Sequence, residues 1–196
     1  MPEPFDNSRV AAVINESLDV KRLLAEECSE DILRIGNLLT QVVSDDGLIM
    51  LCGNGGSAAD SQHIAAELVV RLRGNVERDA ISAMALTVDT SILTAAGNDY
   101  GFENVFARQV EAYGREGDAL IAISTSGNSE NVIAAVEQAN DDDIHTIGLL
   151  GGDGGELAEL VDDAVIVPSS VTARIQECHI LIGHIWCEMI EDSVIE

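Results

Sequence analysis

The sequence predicts an α/β fold built on a parallel sheet with helices on both faces, and three observations carry that expectation. Five short apolar runs, at 48–52, 80–86, 119–124, 146–150 and 164–167, alternate with longer segments that read as helix or loop. The apolar 46% of the chain is mostly Ala, Val, Ile and Leu, with aromatics at only 3%, which suits strands buried on both faces. Two of the runs end in polar turns that contain glycine, and ligands of parallel sheets sit beyond the carboxyl ends of the strands. The whole chain, 1–196, reads as one domain, long enough to bury roughly 70% of its unfolded surface.

The elements follow in order. Over about residues 6–44 apolar side chains recur at helical spacing (Val10, Val13, Ile14, Leu18, then Leu23, Leu24, Ile32, Leu33, Ile35, Leu38, Leu39, Val42), which predicts one or two long helices ahead of the first strand. The run 48–52 leads into Gly53-Asn54-Gly55-Gly56 and then Ser57, whose hydroxyl suits an N-cap, with Asp60 three residues on completing a capping box. The run 119–124 leads through Ser124-Thr125-Ser126-Gly127-Asn128-Ser129 into a helix-like stretch at 130–139. Asp141-Asp142-Asp143 reads as a solvated turn before the next strand. The chain closes on 171–190, where Ile175, Cys178, Leu181, Ile182, Ile185, Met189 and Ile190 form the buried stripe of a long helix.

Charge narrows the partners. The chain carries 35 acidic against 10 basic residues, a formal net of −25, and Lys21 is its only lysine. Such a surface repels nucleic acid and anionic membrane, so neither is expected as a partner. So little lysine on so acidic a chain points to a high-salt cytoplasm, where screening makes self-repulsion tolerable. Four cysteines, Cys28, Cys52, Cys178 and Cys187, show neither CxxC pairing nor the spacing of a zinc module and read as reduced thiols. The polar opening and the lack of an uncharged apolar run near 18 residues predict no signal peptide and no membrane span, hence a cytoplasmic protein.

The turns hold the chemistry. Gly53, Gly55 and Ala58 fit the loose dinucleotide pattern G-x-G-x-x-A, but the acid expected about 20 residues on, at the end of a second strand, is missing, because Glu77 and Asp79 fall before that strand. The second turn offers four hydroxyls, an amide and a glycine without the lysine of a nucleoside-triphosphate loop. It is either a neutral cradle for a small phosphate ester or a capped helix with an incidental Ser/Thr cluster. His63 and Glu67 lie four apart on one helical face, and Gln176 and His184 lie eight apart, about 80° from each other on a regular helix. Together they could bind a divalent metal or supply acid and base for proton transfer, with His179 a rival ligand by spacing. His145 reads as the entry to a strand.

Four stretches, CGNGGSAADSQHIAAEL, ALTVDTSILTAAGNDYGF, FARQVEAYGREGDALIAISTSGNS and ARIQECHILIGH, together resemble the phosphoheptose isomerase family of the SIS (sugar isomerase) superfamily, in order and at family spacing from about residue 48 to the last helix. The resemblance implies a flavodoxin-like SIS fold, a five-stranded parallel sheet flanked by helices, in a homotetramer whose sites lie between subunits. It implies conversion of sedoheptulose 7-phosphate to D-glycero-D-manno-heptose 7-phosphate by enediol proton transfer. Carried onto this chain, the phosphate loop is Ser124, Thr125, Ser126 and Ser129, and Asn54, Gly55, Gly56, Ser57, Asn98, Asp99 and Gln176 line the sugar. Glu67 and His184 become the acid/base pair, with Glu67 also against the substrate, and His63, Glu67, Gln176 and His184 become the site of one zinc per subunit.

Other members of the superfamily set the alternatives. One non-catalytic branch associates with the DnaA replication initiator and shares the loops without the acid/base residues, whereas here Glu67, His184 and the segment GNDYGF at 97–102 are all present. A regulatory module that senses a sugar phosphate, or an isomerase of a different sugar phosphate, are the remaining readings. So acidic a protein must still attract an anion, which calls for donor-rich loops, for Arg71 or Arg174 near the site, or for salt. For both arginines a surface ion pair is the competing expectation.

Overall fold

The computed structural model describes residues 6–195. Two helices come first, α1 (Asn7–Glu27) and α2 (Ser29–Ser44), so the expected helical segment is a pair broken at Cys28. Asp6 caps α1 by accepting from the backbone N–H of Arg9 at 2.9 Å. The helix-breaking point is a buried residue whose thiol lies 3.5 Å from the carbonyl of Ile166, so the bend sits on the core rather than in solvent.

The sheet has five parallel strands, β1 (Ile49–Gly53), β2 (Ala83–Ala85), β3 (Ala119–Ser124), β4 (His145–Gly151) and β5 (Asp163–Val167), in the order β2-β1-β3-β4-β5. The run at 80–86 yields only a three-residue strand on the sheet edge. Its first residues turn away to α3 (Gly56–Val69), where the Ile81 N–H reaches the carbonyl of Leu68. The remaining helices are α4 (Thr90–Asp99), α5 (Ala107–Tyr113), α6 (Glu130–Asp141), α7 (Leu157–Leu160) and α8 (Thr172–Ser193), with a 3-10 turn at Phe102–Asn104. The acidic turn begins one residue later than expected: Asp141 is the last residue of α6, Asp142 caps it and Asp143 takes a left-handed φ of 55° before β4.

Alternation along the buried strands assigns each face its helices. Ile49, Leu51, Ile121, Ile123 and Leu149 pack with α1, α2, α3 and α8, whereas Met50, Cys52, Leu120, Ala122 and Leu150 pack with α4 through α7. Each fully buried Ile or Leu contributes about 1.5–3 kcal/mol over exposure, so a slip of register by one residue would exchange the faces of both cores. Trp186 of α8 donates its indole N–H to the Ile32 carbonyl at 2.9 Å and fixes α8 against α2. Among the described residues no helix is long and apolar enough to cross a membrane.

The strand order makes the site. From β1 the chain goes out to β2 and returns past β1 to β3, so the winding reverses between β1 and β3. Helices leaving these two strands diverge, and a crevice opens at their carboxyl ends. Both polar turns border it.

Candidate active site

The first turn follows β1 directly. Gly55 takes a φ of 56°, a conformation costly for any residue with a Cβ, and this lets α3 begin at Gly56. The expected capping box is therefore absent: Gly55 occupies the N-cap, and Ser57 lies inside the first turn, buried, with its N–H on the Asn54 carbonyl at 3.0 Å. Asp60 is released from capping, and its Oδ2 is buried without a hydrogen-bond partner. Burial pushes its carboxyl above the ordinary range, opposed by nearby His63.

One turn further along α3 stand His63 and Glu67, and α8 brings His184 against them. The Nε2 atoms of His63 and His184 are 2.9 Å apart, their rings meet edge to face at 5.1 Å, and His63 Nε2 is 3.3 Å from Glu67 Oε1. One ligand atom from each of the three lies within 4.8 Å of the others, so they could hold a metal ion. Two ligands at 2.0–2.1 Å on a tetrahedral zinc stand about 3.3 Å apart, close to both measured separations, and the donor set is one zinc accepts. Gln176, one of the four expected ligands, lies on the glycine turn: a Cβ on Gly56 would meet its Nε2 at 2.5 Å.

His179 is not part of this cluster. It is fully buried, its Nε2 lies 3.0 Å from the Leu150 carbonyl, and burial lowers its pKa to about 4, so it is a neutral core group despite its spacing. Cys52 behaves likewise, its thiol pushed up to about 12 by burial.

The second turn is shaped by its hydroxyls and by a neighbouring loop. Ser124 Oγ and Ser129 Oγ stand 3.1 Å apart, and Ser124 Oγ accepts from the Gly127 N–H at 3.1 Å. Ser129 occupies the N-cap of α6 without a side-chain capping bond, so the Ser/Thr cluster is not explained by capping alone. Thr125 is half-buried and Ser126 exposed. Gly127 has a φ of 67°, and a Cβ there would lie 1.8 Å from the Gly154 carbonyl oxygen, so only glycine lets the loops at 124–129 and 151–157 approach. Asn128 Oδ1 accepts from the Glu156 N–H at 3.0 Å and the Gly127 carbonyl from the Leu157 N–H at 3.0 Å.

Asn54 and Asn131 exchange two side-chain hydrogen bonds, at 2.7 and 2.9 Å, which join the first turn to the first turn of α6. Sequence reasoning missed Asn131 and the brace at 151–157. The signal for Asn131 was a polar residue placed among the apolar positions Val132, Ala135 and Val136 that α6 buries.

Other expected residues lie apart. Asn98 and Asp99 are exposed at the end of α4, where the Asn98 amide donates to Asp99 at 2.7 Å; among the described residues no hydrogen bond ties either side chain to the two turns of the same chain. Neither arginine turns to the phosphate loop. Arg174 is buried against α1, donating to the Val13 carbonyl and to Glu16 at 3.2 Å and to Glu177, and Arg71 donates to Glu77 at 3.1 Å. Both arginines thus form ion pairs, Arg71 at the surface as the competing expectation had it and Arg174 in a buried position.

Comparison with known proteins agrees with this geometry. The family model described as SIS domain matches residues 14–151. The chain is 57% identical to the phosphoheptose isomerase of a Nitratiruptor species over 168 residues, 86% of this chain and 89% of that one. It is 49% identical to that of Aquifex aeolicus over 188 residues, 96% and 97% of the two chains. Among solved structures, the phosphoheptose isomerase of Neisseria gonorrhoeae superposes with a TM-score of 0.89 at 48% identity, covering 94% of this chain and 98% of that one. That of Francisella tularensis gives 0.90 at 37% identity, covering 94% and 97%.

Proposed function

The chain belongs to the SIS domain family, and within it we propose that this protein is an aldose-ketose isomerase that converts sedoheptulose 7-phosphate to D-glycero-D-manno-heptose 7-phosphate. The observation that carries this reading is the convergence of Glu67 with His63 and His184 beside the glycine turn, at the crevice between β1 and β3.

The reaction moves one carbon-bound proton and one hydroxyl proton. Glu67 takes the proton from C1 of the ketose and returns it to C2, passing through an enediolate, while His184 protonates the developing C2 oxygen or assists ring opening. His184, having given its proton to the C2 oxygen, takes the C1 hydroxyl proton as the aldehyde forms, so C1 is oxidised, C2 is reduced and both groups return to their starting states. Ser124, Thr125, Ser126 and Ser129 hold the phosphate with neutral donors, and Asn54, Gly55, Gly56, Ser57 and Gln176 form the wall along the sugar. His63, Glu67, Gln176 and His184 are the residues that would hold one zinc per subunit, which when bound supplies Lewis-acid polarisation. A carboxylate gripped as a ligand is a poor base, so the two roles of Glu67 exclude each other at any one moment.

Asn98 and Asp99 enter this scheme from a neighbouring copy. We place the protein in the cytoplasm as a homotetramer with sites between subunits, a reading supported by the exposure of those two residues, whose side chains bond to each other rather than to the turns of their own chain. The exposed stripe Val10, Val13, Ile14 and Leu18 along α1 points the same way. Incubating the purified protein with sedoheptulose 7-phosphate, with and without zinc, and following aldose signals by NMR tests the reaction. Absence of conversion at any salt concentration would overturn it.

A further inference from the structure

The glycine turn is backed at Gly56 by the side chain of Gln176, but its tip at Gly55 has little side-chain support. Its N-cap makes no side-chain hydrogen bond, and nothing lies within 4 Å of where a Cβ on Gly55 would be. Gly53 pairs with Ile123 in the β1–β3 ladder and fixes the roots of the two turns, and backbone bonds from Ser57 to Asn54 and from Ala59 to Gly55 set the curvature of the first, but none of these joins the turns beyond the sheet. Across that gap only one side-chain pair is formed among the described residues. Asn54 Nδ2 donates to Asn131 Oδ1 at 2.7 Å, and Asn131 Nδ2 donates to Asn54 Oδ1 at 2.9 Å.

The reciprocity has a consequence for both amides. Each spends one donor and one acceptor site on the other, so Asn54 meets a sugar with its backbone, its remaining N–H and its second oxygen lone pair rather than with a free amide. Asn131 is 3% exposed and out of reach of solvent. It stands two residues after Ser129, whose hydroxyl belongs to the phosphate loop, and Asn54 directly precedes Gly55 and Gly56. A ligand anchored at its phosphate and bound along its carbon chain needs a fixed span between these two turns.

We propose that Asn131 is a positioning residue that, through Asn54, sets the span between the phosphate loop and the sugar wall, and so tunes the site to the length of its sugar phosphate. This rests on the isomerase reading above. Asn131 touches no reacting atom. Its amide pair is neutral, which suits a place beside a phosphate in a chain of net charge −25, where an ion pair would bring another carboxylate towards the anion.

The test is a double-mutant cycle of Asn54→Ala, Asn131→Ala and the pair, read as KM and kcat for sedoheptulose 7-phosphate and as Kd from calorimetry with the same compound. Because either truncation removes both hydrogen bonds, each single variant should raise KM and Kd about tenfold, and the double variant should be no worse than the singles. The circular-dichroism melting curve reports folding, and Asn131→Asp, which keeps one bond but turns a carboxylate oxygen to Asn54 Oδ1 and brings a charge towards the phosphate, should raise KM and Kd more than Asn131→Ala does. Lowered kcat with KM and Kd unmoved, or additive effects in the double variant, would reduce Asn131 to a structural role and overturn the proposal. Wild type that binds the sugar phosphate without turning it over would sink the isomerase reading alone, with Kd still judging Asn131. Wild type that neither binds nor converts it would overturn both.

Discussion

The two ends of the sheet carry similar polar residues and use them in opposite ways. At the amino end, Asp163 accepts from His145 at 2.8 Å and from Arg34, and Asp162 accepts from the backbone and hydroxyl of Thr146 at 2.9 and 3.0 Å. Asp118 accepts from the N–H groups of Leu48 at 2.8 Å and Arg115 at 2.9 Å. These three carboxylates are matched to donors of their own chain. At the carboxyl end, Asp60 Oδ2 has no partner, two histidine Nε2 atoms face each other although at most one of a neutral pair supplies the proton, and Ser126 is exposed. Clusters of titratable groups therefore do not mark function by themselves; the end whose groups are left without complete partners is the end that has capacity for a ligand.

The sharpest way to break this contrast is to remove one group from each end. Glu67→Gln should lower kcat by about 10²–10⁴-fold, the span of general-base contributions, with the melting curve retained. His145→Gln should leave kcat unchanged, although it too removes a titratable group near a carboxylate. Comparable losses of kcat in the two variants, measured in the same coupled assay, would mean that the ends do not differ in function.

Stability should show the reverse order. Asp118→Ala leaves the N–H groups of Leu48 and Arg115 without acceptors, at a cost of about 2–3 kcal/mol, which for a chain of this size lowers Tm by about 4–12 °C. Ser126→Ala, in the exposed part of the phosphate loop, should leave Tm within error and raise KM. Thermal melts of the two variants decide between these outcomes.

Acid gives a smaller effect that also separates the ends. Burial raises the Asp163 carboxyl, but the bonds from His145 and Arg34 outweigh it and hold the group below the ordinary carboxylate range. A depressed folded-state value means that stability is present above the unfolded value near 3.9 and is lost as pH falls through the lower folded one. Asp163→Asn should therefore be less stable than wild type at pH 7, and the gap should close below about pH 4. A gap that is constant with pH in urea titrations would deny Asp163 this electrostatic role.

Much of the molecule was legible in the sequence, and what was not has a common cause. Helical spacing over 10–42, five apolar runs and the stripe on the last helix each reflect local burial, so the strands and the N-terminal helical segment were readable, though not the break at Cys28 that makes it two helices. His63 and Glu67 were readable as one helical face, and His184 as the same side of another helix. Ser57 was misplaced because capping chemistry ignores what a positive φ at Gly55 allows. Asn131 and the Gly127–Gly154 approach depend on loops brought together from far along the chain, and no local pattern encodes them. His179 resembled a ligand until burial was known.

The smallest predicted effect concerns salt, and it asks whether the carboxyl end is as neutral as its contacts suggest. A net charge of −25 raises the work of bringing in a phosphate dianion, and KCl at about 1 M cuts the Debye length from about 10 to 3 Å. If a site cation gripped the phosphate, screening would also weaken that grip, and KM would rise steeply with salt. Arg71 and Arg174 are engaged with Glu77, Glu16 and Glu177, and the loop offers hydroxyls and backbone N–H groups instead. Hydrogen bonds from neutral donors are screened little, whereas the long-range repulsion is screened strongly. KM for sedoheptulose 7-phosphate should therefore hold steady or fall by less than about threefold between 0.1 and 1 M KCl, while Tm rises as self-repulsion is relieved. A KM that climbs tenfold over that range would place a cation in the site, and the contrast drawn between the two ends would have to be redrawn around it.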